Sequence, residues 1–186
     1  MFDIAFEIFV QLLGGLGILC SFISFQCKNH KRILFFRTMN ELLFGIQYFF
    51  LGAYTGMAMN FVGCVRNVIF SNRVAKGKKT GPFIALFSVL FSIFGVVTWQ
   101  GPKSILIIVA KVLSTVAYGN KNTTVVRSIV LVTSSSWLVY NIFAGSIAGV
   151  LCEVLTVFSI VSALIRLDIM PKLKKGKEEK AISEND

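Results

Sequence analysis

Seven apolar runs alternate with short polar segments along the chain. They cover residues 5–26, 33–53, 57–73, 82–99, 104–118, 123–143 and 147–167. A helix that crosses a bilayer needs about 20 mostly apolar residues, within a range of roughly 17–25. Each run therefore predicts one transmembrane helix, the fifth with a short apolar core. Connections such as A-Y-T-G and G-N-K-N are brief, so successive helices must run antiparallel. With no water at that depth, each helix must close its own backbone hydrogen bonds.

The basic residues sharpen this pattern. Lys28, Lys31 and Arg32 follow the first run; Arg73, Lys76, Lys78 and Lys79 follow the third; Lys121 follows the fifth. Lys172, Lys174, Lys175, Lys177 and Lys180 follow the seventh. The connections in between carry only Lys103. Positive charge marks the cytoplasmic side, so the alternation predicts an outside N-terminus, a cytoplasmic C-terminus and an odd number of spans. The first run has Asp3 and Glu7 in place of a basic leader, so it is expected to stay as a membrane helix.

Composition agrees. The chain has 186 residues, 55% hydrophobic and only 15% charged, where a soluble domain is about a quarter charged. Mean hydropathy is +0.74. The net charge of +10 sits in clusters that flank apolar runs, which is the pattern of a membrane surface and not of a nucleic-acid partner. The expected partners are the lipid bilayer and an unknown small solute, with a homo-oligomer left open. Cys20, Cys27, Cys64 and Cys152 form no C-x-x-C, and His30 is the single histidine. No metal site, disulfide framework or cofactor is expected. No Ser/His/Asp or Cys/His constellation occurs, so the chain is not expected to be an enzyme.

An internal duplication is visible at a shift of 90 residues, where Arg37 falls on Arg127 and Gln47 on Trp137. Q-Y-F-F-L-G-A-Y-T-G then lies over W-L-V-Y-N-I-F-A-G-S. Helices 1–3 and 5–7 are read as two parallel three-helix repeats joined by helix 4. The units are 1–79 and 102–169, with a linker helix at 80–101 and a basic, charged cytoplasmic tail at 170–186. Parallel repeats of this kind place a substrate site near mid-membrane at their interface.

This layout resembles the SWEET/PQ-loop (MtN3-like) superfamily. Within it, S-F-Q-C-K-N-H-K, L-G-A-Y-T-G-M-A-M-N-F-V-G-C-V-R-N and Y-N-I-F-A-G-S-I-A-G-V-L-C-E are similar to YgjV-type bacterial inner-membrane proteins. The resemblance implies a SWEET-like fold in the inner membrane. Gln26 matches the glutamine of the Pro-Gln motif, but Phe25 stands where proline belongs. The resemblance also places Asn60 at the helix 3 asparagine that contacts sugar in SWEET proteins, whereas the helix 7 counterpart region holds Cys152 and Glu153.

Ionisable residues at mid-membrane are functional candidates. Asn60, Asn40, Glu41, Lys111 and Glu153 are the predicted substrate-site residues. Arg37 and Glu41 are one helical turn apart, and an ion pair between them is expected. A second pair is expected between Lys111 and Glu153. Arg37, Arg127 and Gln26 are assigned structural or ion-pairing roles. Gly14, Gly15 and Gly17 are expected at close helix contacts, and Trp137, Tyr140, Trp99 and Tyr54 at the outer interface. The leading reading is a small-solute transporter with a midplane site between the repeats; the alternative is a non-transporting scaffold, sensor or partner subunit.

Overall fold

The computed structural model describes residues 2–143 and 147–171. The connection at 144–146 and most of the predicted tail, 172–186, lie outside the described residues. Seven α-helices follow one another: α1 Phe2–Gln26, α2 His30–Phe50, α3 Tyr54–Ala75, α4 Gly81–Val97, α5 Lys103–Tyr118, α6 Thr123–Phe143 and α7 Ile147–Ala163. A π-helical stretch, Leu164–Ile169, continues α7. The seven apolar runs thus correspond to the seven helices, with boundaries displaced by a few residues.

Among the described residues, three helices are long and apolar enough to cross a membrane: Ile8–Gln26, Thr123–Phe143 and Ala148–Ile169. Gly81–Val97 and Ser104–Tyr118 are apolar but shorter. The remaining two, α2 and α3, carry Arg37, Asn40, Glu41, Asn60, Arg66 and Asn67, which dilute their apolar content.

Those polar residues point inward. Asn40, Glu41, Asn60, Arg66, Asn67, Lys111 and Arg127 are buried, while Leu12, Val97, Val132 and Phe158 are each more than 60% exposed on the outer face. A water-soluble bundle has the opposite arrangement. An apolar rim around polar interior groups suits hydrocarbon as the surrounding solvent.

Neighbours in sequence are neighbours in space. Each helix packs on the next from α1 to α7, and α7 returns to α1. In addition, α3 touches α5 directly, which leaves α4 outside that contact. The largest apolar cluster gathers Phe25, Phe70, Phe91, Ile107 and Ile160. A smaller one holds Phe44, Tyr48 and Cys152.

Local chemistry sets the helix ends. Asn29 caps α2 by accepting from the Lys31 amide at 2.8 Å, and Asn122 accepts from the Thr124 amide at 2.9 Å at the start of α6. Side-chain oxygens at these positions satisfy amides that the helix leaves unpaired. At the end of α3, Gly77 has φ +63°, and Lys78 N donates to Arg73 O at 2.9 Å. A left-handed residue closing such a bond is strongly favoured to be glycine. The α1–α2 contact is close because Gly14 and Gly17 lack side chains: a methyl at Gly17 would lie 2.7 Å from the Phe44 ring. Gly15 differs from the expectation, since nothing lies within 4 Å of its Cβ direction.

Candidate functional site

The polar residues of α2, α3 and α5 converge at the centre of the bundle. Glu41 is the anchor. Its Oε1 accepts from Arg66 Nη2 at 3.0 Å and lies 3.2 Å from Lys111 Nζ. Arg66 is fully buried. It also donates to Asn67 Oδ1 at 2.9 and 3.1 Å, to Thr115 Oγ1 at 3.0 Å and to Ser114 Oγ at 3.3 Å. Its guanidinium lies between the Phe91 and Tyr118 rings, 5.2 and 4.9 Å from their centroids. Lys111 donates to Asn60 Oδ1 at 3.0 Å and faces the Trp137 ring at 5.4 Å. A charge this far from water is tolerable only when paired and hydrogen-bonded, and Arg66 meets both conditions.

Gly63 makes room for the carboxylate. A methyl at this position would overlap Glu41 Oε2, approach its Cδ to 2.7 Å and come within 3.1 Å of Lys111 Nζ. The glycine therefore serves the ion cluster through the space it leaves.

Beside the cluster is a cavity of about 30 Å³. Arg37, Asn40 and Tyr48 reach it from α2, and Asn60 from α3; Lys111 comes from α5, Trp137 and Asn141 from α6, and Cys152 and Glu153 from α7. That volume holds about one or two water molecules. A drug-sized ligand site is roughly ten times larger or more, so the free space between these side chains is small. Tyr48 OH donates to Asn141 Oδ1 at 3.2 Å across α2 and α6.

Four predicted substrate-site residues, Asn40, Asn60, Lys111 and Glu153, line this one cavity, as does Arg37. Glu41 lies behind them, against Lys111 and Arg66. The predicted pairings are corrected. Arg37 does not bridge to Glu41: it donates to Ser21 Oγ at 3.1 Å, sits over the Phe25 ring at 5.6 Å and leaves Nε buried without a partner. Lys111 turns to Glu41 and not to Glu153. Glu153 is half-buried on the cavity wall. Helical spacing fixes only which residues share a face; the contact between α3 and α5 brings in the partners that win. Trp137 and Tyr140 also depart from the outer-anchor expectation, since Trp137 lines the cavity and Tyr140 is buried. Trp99 and Tyr54 are exposed at helix ends.

Arg66, Asn67, Ser114 and Thr115 were missed as cluster members. Their signal was present in the sequence. Asn60, Gly63 and Asn67 recur at helical spacing on one face of α3 with Arg66 beside them, and Ser114 and Thr115 lie one turn beyond Lys111.

A second polar network fastens the basic end of the bundle. Arg127 Nη1 meets Asp168 Oδ2 at 2.9 Å, Nη2 donates to Cys27 O at 2.7 Å and Nε to Phe25 O at 3.2 Å. Gln26 Nε2 donates to Ser159 O at 2.9 Å, and its Oε1 accepts from Arg166 Nη2 at 2.6 Å. Both Arg127 and Gln26 hold α1 to its neighbours, in keeping with structural roles. The π-helical stretch carries both Arg166 and Asp168. In the adjacent loop, burial pushes the Cys27 thiol up, partly offset by Arg32 and Arg127. No group of three or more metal-ligating side chains occurs among the described residues.

Comparison with known proteins bears on this arrangement. The Imp-YgjV family model, described as bacterial inner membrane protein, matches residues 8–170. "Inner membrane protein YgjV" of Escherichia coli (strain K12) is 22% identical over 143 residues, covering 77% of this chain and 75% of that protein. No solved structure matches. The family match takes in all seven helices except the first turns of α1, with the central ion cluster and the Arg127 network, and the chain belongs to the Imp-YgjV family of bacterial inner membrane proteins.

Proposed function

We propose that this protein carries a small solute across the inner membrane through a central site between two three-helix units. The observation that carries the reading is the shared cavity. Five helices each contribute a polar side chain to one shared space: Arg37 and Asn40, Asn60, Lys111, Asn141 and Glu153. Polar groups inside a membrane bundle are costly and commonly mark a solute or ion path.

The helix contacts support a pair of related units, 1–79 and 102–169, with α4 in the linker at 80–101. Within each, the middle helix packs on both others, and the units meet through α1 with α7 and α3 with α5. A two-fold axis along the membrane normal exchanges these two interfaces. The inner ends echo one another: His30 Nε2 bonds Tyr118 O at 3.0 Å, and Arg127 Nε bonds Phe25 O at 3.2 Å. In each case the start of one unit's middle helix meets the end of the other unit's first helix. This pattern favours a distant kinship with the SWEET/PQ-loop superfamily. The reading takes the N-terminus to be outside and the C-terminus cytoplasmic, with the basic connections as its support. The reading assigns the protein no catalytic reaction.

A specific observation favours a second reading, a non-transporting scaffold, sensor or partner subunit. Glu41, Arg66, Lys111, Arg127 and Asp168 are all paired inside the bundle, and the remaining space is small. Uptake by proteoliposomes, guided by a thermal-shift screen of metabolites, separates the two. Transport requires a solute whose flux is lost in Asn60→Ala and Glu153→Gln while both variants keep a cooperative melt. Destabilisation without any flux phenotype supports the scaffold.

A further inference from the structure

We propose that the central cavity binds one small monovalent anion, of about the size of a halide ion. The inference rests on reading the cavity as a ligand site and names the class of ligand it takes.

The charge tally comes first. Arg37, Arg66 and Lys111 occupy the bundle centre together with Glu41 and Glu153. Three cations face two carboxylates, and the next charged pair, Arg127 with Asp168, is complete in itself. One positive charge is left over in a low-dielectric interior, where uncompensated charge is strongly disfavoured. A single monoanion cancels it. A dianion would overshoot, because Glu153 already stands on the cavity wall.

Geometry says where the excess sits. Arg66 and Lys111 share Glu41, but among the described residues Arg37 has no carboxylate within 4.0 Å, and neither does Glu153 have a cation. Arg37 lines the cavity with its Nε buried and unpartnered. Asn60 spends its carbonyl oxygen on Lys111, and Asn141 spends its own on Tyr48. Both amides thus have donor groups left to offer. An arginine with spare N–H groups beside two asparagine amides forms a donor set for an anion.

Volume then limits the occupant. About 30 Å³ admits the equivalent of one or two waters. A monoatomic anion is of that size, whereas a sugar or nucleotide is several times larger.

Trp137 on the cavity wall supplies the readout, because iodide quenches tryptophan emission. The chain has two tryptophans, so Trp99→Phe leaves one tryptophan, at the site, to be excited selectively. The purified full-length Trp99→Phe protein is titrated with iodide against gluconate at constant ionic strength. The expected result is saturable quenching that chloride competes away and sulfate does not. Adding Arg37→Gln should convert it to linear, collisional quenching, and Arg37→Lys should restore a weaker saturable phase. Should Arg37→Gln fail to fold, competition by chloride in the Trp99→Phe protein still decides. Linear quenching in that protein, or equal competition by sulfate, overturns the proposal. Saturable halide binding in a protein that moves no solute would retire the transport reading and keep this one. Solute flux without saturable halide binding would do the reverse.

Discussion

Replacing Glu41 with glutamine keeps the shape of the side chain and removes its charge. In the native bundle its carboxylate lies 3.0 Å from Arg66 and 3.2 Å from Lys111, with Glu41 and both cations shielded from solvent. Glu41→Gln leaves the two cations facing each other without a counter-ion. Breaking a buried pair by removing one member costs about 3–5 kcal/mol. For a chain of this size each kcal/mol corresponds to roughly 2–4 °C in Tm, so a fall of about 6–20 °C is expected. The assay is thermal unfolding of the purified protein in detergent. A double-mutant cycle assigns the partner. Glu41→Gln combined with Lys111→Met removes one of the stranded cations, and the double variant should be less destabilised than the sum of the singles by about 0.5–3 kcal/mol. The same cycle with Arg37→Gln should show much weaker coupling, because Arg37 bonds Ser21 instead. A Tm loss below about 3 °C for Glu41→Gln, or stronger coupling to Arg37 than to Lys111, refutes the argument.

Gly63→Ala should destabilise by about 1–3 kcal/mol or more through overpacking, since the new methyl overlaps the Glu41 carboxylate; Gly15→Ala should leave Tm unchanged or slightly raised, because its site is open. Asp168→Asn uncouples Arg127 from the end of α7 and should speed hydrogen exchange in Leu164–Ile169 and the start of α6 more than in α3. For orientation, Gln100→Cys should react with a membrane-impermeant maleimide on intact spheroplasts, and Lys78→Cys only after the membrane is opened; the reverse result inverts the topology. Arg66→Lys should be costly despite keeping the charge, by about 2 kcal/mol or more. The ammonium cannot reproduce the planar fork that reaches Glu41, Asn67, Ser114 and Thr115 at once.

The helices were legible because hydrophobic run length and polar punctuation act locally. His30 and Thr123 open helices just past asparagine caps, and Gly52 and Gly77 close turns at positive φ. The inward residues were legible as well: Asn40, Asn60, Lys111 and Glu153 stood out as expensive in lipid, and all four reach one cavity. What did not follow was who pairs with whom. Glu41 has Arg37 one turn back on its own helix, yet it takes Arg66 and Lys111, because α2, α3 and α5 meet at that height. Side-chain direction and helix rotation decide that outcome, and neither is written in spacing along a single run. The space left by Gly63 was equally hidden, since a glycine in an apolar helix announces close approach without naming what approaches.

The ring of helices has a mechanical consequence. Six of its seven adjacencies are between helices consecutive in the chain, so a connecting segment limits how far each can part. The seventh, α1 against α7, has none. Hydrogen bonds are its fasteners: Ser21 with Thr156 at 2.5 Å, Gln26 with Ser159 at 2.9 Å, and Ser159 with Phe22 O at 2.7 Å. The contact of α3 with α5 is similarly free of a direct tether, since the helix α4 lies between them in the chain and packs on both. The bundle thus has two contacts held by side chains and not by a direct connection. The side chains zipped along the α1–α7 contact set how much force it takes to part it.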